Sequence, residues 1–274
     1  MSVPSELLGL ARSIALEAGA LAARRRAEGV EVAATKSSIV DVVTAADREV
    51  EDLVRGRIAD ARPDDAVLGE EGGGTAGTSG LTWVVDPIDG TVNYLYGIPH
   101  YAVSIAVVEG DPDPATWTAL AGAVHAPPLG ELFHAERGGG ARLNDGSIVV
   151  GPRPPLEQAL VATGFAYDAH TRERQGAVVA ALLPRVRDIR RQGVASLDLC
   201  FVACGRVDAY FERTLNPWDH AAGALIAREA GAIVTGRGDA AAGRDFTLAA
   251  APGLASELAA VLDGLGVTAW DLPA

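Results

Sequence analysis

The sequence predicts a mixed fold, α+β in its first part and α/β in its second. Three observations carry this: helical apolar spacing near the N-terminus, short apolar runs split by hairpin signals in the middle third, and alternating strand and helix patterns thereafter. Leu7, Leu8, Ala11, Ile14, Ala15, Ala18 and Leu21 recur on one helix face, and Val50, Leu53, Val54 and Ile58 repeat the pattern. Both segments read as amphipathic helices that bury one side. Apolar runs at 66–68, 82–85, 102–108, 120–125 and 131–134 follow, with Gly138-Gly139-Gly140 and Asn144-Asp145-Gly146 as turn signals, so the middle third reads as an antiparallel sheet. After Pro152, Pro154 and Pro155 come a strand at 159–163, helices near 172–183 and 197–204, a strand at 209–212 and a helix at 219–230. The proline-rich stretch divides the chain into parts 1–151 and 152–274.

The 274 residues allow one large domain or two ordinary ones, and 49% hydrophobic with 22% charged residues excludes a disordered or fibrous chain. Lys and Arg number 23 against 36 Asp and Glu, a net charge of −13. That balance disfavours nucleic acid and anionic membranes as partners and, at first sight, any anionic substrate. Cys200 and Cys204 stand four apart in a helical segment, as core residues without a framework disulfide, which fits a reducing, cytoplasmic setting. The N-terminal pattern is an amphipathic helix and not a signal peptide. The apolar stretch 246–265 is interrupted by Pro252, Ser256, Glu257 and Asp263, too polar for a membrane span.

Several familiar motifs fail. Gly72 to Gly77 fits G-x-G-x-x-G but leads into a strand-like run instead of a helix, so it reads as a flexible loop. P-loop, G-x-S-x-G and H-E-x-x-H patterns are absent from the sequence, and the five histidines lack metal spacing.

What remains is a set of acids at the ends of apolar elements. In Trp83-Val84-Val85-Asp86-Pro87-Ile88-Asp89-Gly90-Thr91 a strand ends in two carboxylates three apart. Pro87 restricts the backbone, Gly90 permits close approach of a ligand, and Asp86, Asp89 and the Ile88 carbonyl can converge as hard oxygen donors suited to Mg²⁺. An ordinary Asp-Pro and Asp-Gly double turn is the plain alternative. Glu70 ends the run 66–69; if that strand lies beside 82–85, Glu70 and Asp86 leave the same sheet edge. Asp219 in Pro217-Trp218-Asp219-His220 reads equally as an N-cap, and Thr44-Ala45-Ala46-Asp47 as a capping box.

Taken together, Asp41 to Asp47, Gly69-Glu70-Glu71, Trp83 to Asn93 and Trp218 to Gly223 resemble the signature segments of the inositol monophosphatase family. The resemblance implies a layered α/β/α/β/α sandwich and a Mg²⁺-dependent, lithium-sensitive phosphomonoesterase, cytoplasmic and homodimeric, with a small phosphate monoester as substrate. It assigns Glu70, Asp86 and the Ile88 carbonyl to a first metal, Asp86, Asp89 and Asp219 to a second, and Glu70 through water to a third, so two or three Mg²⁺ per site. Asp86, as the shared ligand, would keep two cations roughly 3.5 to 4 Å apart, the spacing of a two-metal clamp on an in-line displacement. Thr91, with Asp47 as its acceptor, and Glu70 would activate the attacking water. Amides of Gly90, Thr91 and Ala195 would face the phosphate, where backbone donors favour anions.

For the leaving group the same resemblance points to Glu212 with Ala195 beside it, and to Asp89 and Asp219 as further substrate contacts; an exposed strand-end acid is the plain alternative for Glu212. Thr163-Gly164-Phe165 stands where inositol-selective members often place a serine, which weakens an inositol preference. Lys36 matches an accessory mobile loop. Arg185, Arg187, Arg190 and Arg191 read as a solvated helix end, or else as a subunit- or substrate-facing patch. Myo-inositol 1-phosphate is the first substrate expected; histidinol phosphate, fructose 1,6-bisphosphate, 3′-phosphoadenosine 5′-phosphate and a regulatory protein-binding role are the alternatives.

Overall fold

In the computed structural model, which describes residues 3–30, 32–35, 42–238, 240–270 and 272, both N-terminal helices form where the apolar spacing places them. They are α1 (Val3–Glu28) and α2 (Ala45–Ala61), separated by a hairpin of β1 (Val32–Thr35) and β2 (Val42–Thr44). Lys36 and Asp41 lie outside the described residues. Next come β3 (Ala66–Gly69), β4 (Gly73–Thr75), β5 (Leu81–Asp89), the short α3 (Thr91–Tyr96), β6 (Ala102–Glu109), β7 (Thr118–Ala126), β8 (Glu131–Glu136), β9 (Ala141–Leu143) and β10 (Gly146–Ile148). These strands form an eight-stranded sheet in the order β10-β9-β8-β7-β6-β5-β3-β4.

The second part contains β11 (Leu160–Thr163), α4 (Ala169–Leu182), β12 (Asp188–Arg190), α5 (Ala195–Ala203), β13 (Ala209–Glu212), α6 (Pro217–Glu229), β14 (Ile233–Thr235), β15 (Thr247–Ala250) and α7 (Leu254–Gly264). Its sheet runs β12-β11-β13-β15-β14, parallel around β11 and antiparallel around β15.

Alternating side chains assign the layers. Trp83, Val85, Val103, Ile105 and Val107 pack with α1 and α2 on one face of the large sheet. Val84, Ala106, Val108 and Val124 face α5 and α6, which also cover Ala162, Tyr210 and Ala249 of the small sheet. Val161, Ala209, Phe211, Leu248 and Ala250 face α4 and α7. The order is therefore α/β/α/β/α, as the family resemblance implies. The middle layer explains why all nine residues of α5 are buried: a helix between two sheets has no solvent face.

Three local expectations change. First, β3 pairs in parallel with β5, so the large sheet is not wholly antiparallel. Second, residues 73–75 form a strand antiparallel to β3 instead of a flexible loop. Third, β5 does not end at Val85 but continues to Asp89 through an irregularity, with Asp86 opposite Ser104 and Asp89 opposite Ala102. Three steps on one strand against two on its neighbour is a bulge, and Pro87 sits in it because it has no amide to offer the ladder. The Ile88 amide turns back to Asp86 Oδ1 at 3.1 Å. Helix α7 was missed, since polar interruptions that exclude a membrane span do not exclude an amphipathic helix.

One buried cation ties the C-terminal segment to the sheet. Arg213, 2% exposed, follows Glu212 and donates to the Asp245 carbonyl (2.7 Å), the Val267 carbonyl (3.0 Å) and the Trp270 carbonyl (3.1 Å), with its guanidinium carbon 4.9 Å from the Trp270 ring centroid. Its ionic partner Asp245 is largely exposed, so the carbonyls lose most when the guanidinium goes. Arg213→Met is expected to lower unfolding free energy by about 2–4 kcal/mol in urea titration, from several carbonyls left without donors.

Candidate active site

The parallel pairing of β3 with β5 sets Gly69 opposite Val85, and the Glu70 amide donates to the Val85 carbonyl at 3.2 Å. Glu70 and Asp86 therefore emerge side by side at the sheet edge. Asp86 is 2% exposed, and Glu70, Thr91, Glu212 and Asp219 are half-buried. Burial, then the charges of Glu70, Asp89 and Asp219, push the Asp86 carboxyl well above its ordinary range. Asp219 is raised by burial and by Glu70 and Asp89. Asp89 is raised to about 6 by burial, partly opposed by donors from Ser196 and Ala195. Segments far apart in the chain thus bring four acids into mutual electrostatic range.

Each acid is oriented by backbone donors. Asp219 is the third residue of α6 and closes a capping box with Asn216, whose amide donates to Asp219 Oδ2 at 2.6 Å. It is therefore not the N-cap itself. The Ser196 amide at the start of α5 donates to Asp89 Oδ2 at 2.7 Å. The Ala195 amide, expected to face a phosphate, also lies beside Asp89. The capping box at α2 is present: the Thr44 amide donates to Asp47 Oδ2 at 2.8 Å. Thr91 Oγ1 lies 3.2 Å from Asp47 Oδ1 and 3.0 Å from the Ile88 carbonyl, so its one hydrogen has two acceptors. Burial raises the Asp47 carboxyl against the Thr44 hydrogen bonds. Gly90 caps α3 at φ +92°, a conformation that favours glycine, and a β-carbon there would stand 2.8 Å from Val194 Cγ2 and 3.2 Å from the His100 carbonyl.

Sequence patterns missed Glu51, which is 2% exposed on α2. It accepts the Glu71 and Gly72 amides, each at 2.8 Å, and pairs with Arg55 at 2.7 Å, so it holds the turn that carries Glu70. Its available signals were the i,i+4 pairing with Arg55 and the glycines around Glu70, at both of which a β-carbon would overlap Glu51.

Tyr210 Oη donates to Glu212 Oε2 at 2.7 Å. Burial raises the Glu212 carboxyl to about 7, against the Tyr210 hydrogen bond and the Arg191 charge. A β-carbon on Gly164 would overlap the Glu212 carboxyl, so glycine there makes room for it. Gly164→Ala is expected to displace that flexible carboxylate without unfolding the chain, raising KM for a hydroxylated substrate about tenfold while kcat stays within a few fold; steady-state kinetics and a thermal melt check this. The arginine group divides: Arg187 donates to the Gln158 carbonyl, Arg190 pairs with Asp188, and Arg191 sits 5.9 Å from the Phe165 ring centroid. Cys200 is buried and Cys204 partly so; burial raises both thiols, as expected of core residues.

Whether the four acids fit a metal is decided by their charge. Among the described residues no three His, Cys, Asp or Glu side chains form a closed coordination group; the acids are electrostatic neighbours and not a preassembled cage. They are also oxygen donors whose repulsion a divalent cation would relieve. That is the donor chemistry of Mg²⁺.

Known proteins resemble the chain over most of its length. The model of the inositol monophosphatase family matches residues 4–270. The chain is 46% identical over 280 residues to an inositol-1-monophosphatase of Mycobacterium leprae, covering 94% of each. It is 40% identical over 243 residues to the Nus factor SuhB of Vibrio cholerae, covering 88% of this chain and 87% of that one. The solved structure of Mycobacterium tuberculosis SuhB superposes with a TM-score of 0.82 at 42% identity, covering 97% of this chain and 98% of that one. With the layered fold and the clustered acids, these matches show that the chain belongs to the inositol monophosphatase family of phosphatases.

Proposed function

We propose that the chain hydrolyses a small phosphate monoester with Mg²⁺, and that myo-inositol 1-phosphate is its preferred substrate. The mutual electrostatic proximity of Glu70, Asp86, Asp89 and Asp219 carries the reading, because acids this mutually repelling serve a bound cation better than they serve the fold. Glu70, Asp86 and the Ile88 carbonyl would hold one Mg²⁺, Asp86, Asp89 and Asp219 a second, and Glu70 through water a third. Bound there, Mg²⁺ supplies Lewis-acid charge that polarises the phosphate and eases loss of a proton from water.

The chain's own groups do the rest. Thr91 Oγ1, with its hydrogen directed at Asp47 or the Ile88 carbonyl, keeps lone pairs for the attacking water, and the Glu70 carboxylate takes up the proton. Amides of Gly90 and Thr91 at the start of α3 orient the phosphate oxygens. Glu212, held by Tyr210, accepts from leaving-group hydroxyls. The M. leprae relative's name supports an inositol ester. The homodimer and the cytoplasmic setting rest on the family resemblance, and among the described residues no helix is long and apolar enough to cross a membrane.

Phosphate release from myo-inositol 1-phosphate, histidinol phosphate, fructose 1,6-bisphosphate and 3′-phosphoadenosine 5′-phosphate, with Mg²⁺ and then added lithium, tests the reading. The expected result is Mg²⁺-dependent, lithium-inhibited release, fastest from the inositol ester; no release from any of the four would overturn it. A regulatory protein-binding role is the second reading, favoured by the name of the V. cholerae relative. A stable macromolecular complex formed equally well by Asp89→Asn would support it.

A further inference from the structure

Helix α5 lies where the phosphate side and the leaving-group wall meet, and its N-terminus is held in an unusual way. Val194, the N-cap, has no side-chain acceptor for the first-turn amides. The Ser196 amide is taken instead by Asp89, from 107 residues away in the chain. One turn on, Asp198 Oδ1 accepts from Gln192 Nε2 at 2.8 Å. Gln192 is in turn anchored to the phosphate side: Asn93 Nδ2, in α3 two residues beyond Thr91, donates to the Gln192 carbonyl at 2.8 Å and to the His100 carbonyl at 2.9 Å. Both amide hydrogens of Asn93 are thereby committed. The Gly90 turn packs directly on the same segment, through Val194 and the Gly193 carbonyl.

Asp198 is the costly member of this chain of contacts. It is 1% exposed, and its Oδ2 meets no hydrogen-bond partner among the described residues. Burial, then the charge of Glu212, raises its carboxyl well above the ordinary range. A leucine of similar size would fill this site in a helix buried on all sides without leaving a carboxyl oxygen unbonded. What the carboxyl does that leucine could not is accept from Gln192 beside Glu212.

We propose that Gln192 and Asp198 are positioning residues that keep the Glu212 wall in register with the Gly90–Thr91 turn, so that discrimination among leaving groups depends on a pair that does not touch substrate. The proposal rests on the phosphatase reading above. Gln192 bridges the two sides with different groups: its backbone carbonyl is held by Asn93, and its side chain holds Asp198. Loss of the bridge loosens α5 against β13, whose Tyr210 it covers and whose Glu212 Tyr210 holds, and so moves Glu212 against the bound ester, while the Ser196 amide keeps its hold on Asp89.

The test uses the full chain with Gln192→Met, Asp198→Ala, both together, and Asp198→Asn. Kinetics are measured on myo-inositol 1-phosphate and on p-nitrophenyl phosphate, whose leaving group has no ring hydroxyls to align; urea unfolding of the metal-free chains is the readout independent of turnover. Gln192→Met and Asp198→Ala are each expected to raise KM for the inositol ester about tenfold, the loss of one hydrogen bond to a buried carboxyl, and to change p-nitrophenyl phosphate turnover less than about twofold. The double variant should be no worse than either single one, in kinetics and in unfolding, and Asp198→Asn, which keeps an acceptor for Gln192, should stay near the parent. Equal losses on both esters, or additive losses in the double variant, would overturn the proposal. If the parent chain releases phosphate from neither ester, the phosphatase reading fails instead, and additive unfolding effects would then overturn the Gln192–Asp198 coupling by themselves.

Discussion

Asp86→Asn is expected to lower Mg²⁺-dependent phosphate release by roughly 10²–10³-fold or more, because Asp86 is the carboxylate both proposed metal positions share and neither set of ligands is complete without it. The metal-free chain should become more stable by the same change. Asp86 is buried, with its carboxyl raised by burial and by the charges of Glu70, Asp89 and Asp219, so a neutral amide of the same shape removes repulsion the fold now bears. Activity assays paired with calorimetry give the result: a lower kcat with a higher metal-free Tm is the signature of a ligand. Near-normal turnover would sink the assignment of Asp86 as the bridge, and lost activity with a lower Tm would show a structural acid instead.

Mg²⁺ is expected to raise Tm by roughly 5–10 °C at pH 8 when present at about 100 times its Kd, and by about 2 °C or less at pH 5. The sign follows from the direction of the shifts. Asp89 is raised to about 6, and Asp86 and Asp219 are raised as well, so the folded chain holds these protons more tightly than the unfolded one. Stability from that difference is fully present below the unfolded carboxylate value near 4 and is lost as pH rises through about 6 and beyond. Above that range the acids are ionised and crowded, and Mg²⁺ both relieves the crowding and meets no competing proton. Scanning calorimetry from pH 5 to pH 8 with and without Mg²⁺ checks it; a Tm increment independent of pH would separate Mg²⁺ binding from these acids.

Much of this was legible in the chain because it is local. Apolar spacing located α1 and α2, and Thr44 with Asp47 announced a capping box that the structure contains. Glu70 was readable at the end of an apolar run and Asp86 at the end of another, and the parallel pairing of β3 with β5 sets them level, although β5 itself runs on to Asp89. The bulge through Pro87 was not legible, since a proline and an aspartate after an apolar run look like a strand's end; only the neighbouring strand shows that pairing resumes at Asp89. Glu51, Gln192 and Asp198 were missed for a related reason. Each acts through hydrogen-bond partners that the fold brings to it, and single polar residues carry no period.

Net charge taught a similar lesson. A balance of −13 argues against anionic ligands for the molecule as a whole, yet an acid cluster that recruits cations inverts the local field and favours phosphate. By itself the sequence determined the periodic elements, the acids available at their ends and the family, because these depend on side-chain type and short-range spacing. Only the tertiary structure decided which acids lie within electrostatic range of one another, that Asp89 also caps α5, and that Asn93, Gln192 and Asp198 join α3 to α5. Those outcomes depend on the layering of two sheets around α5 and α6, which brings residues a hundred positions apart within hydrogen-bonding distance.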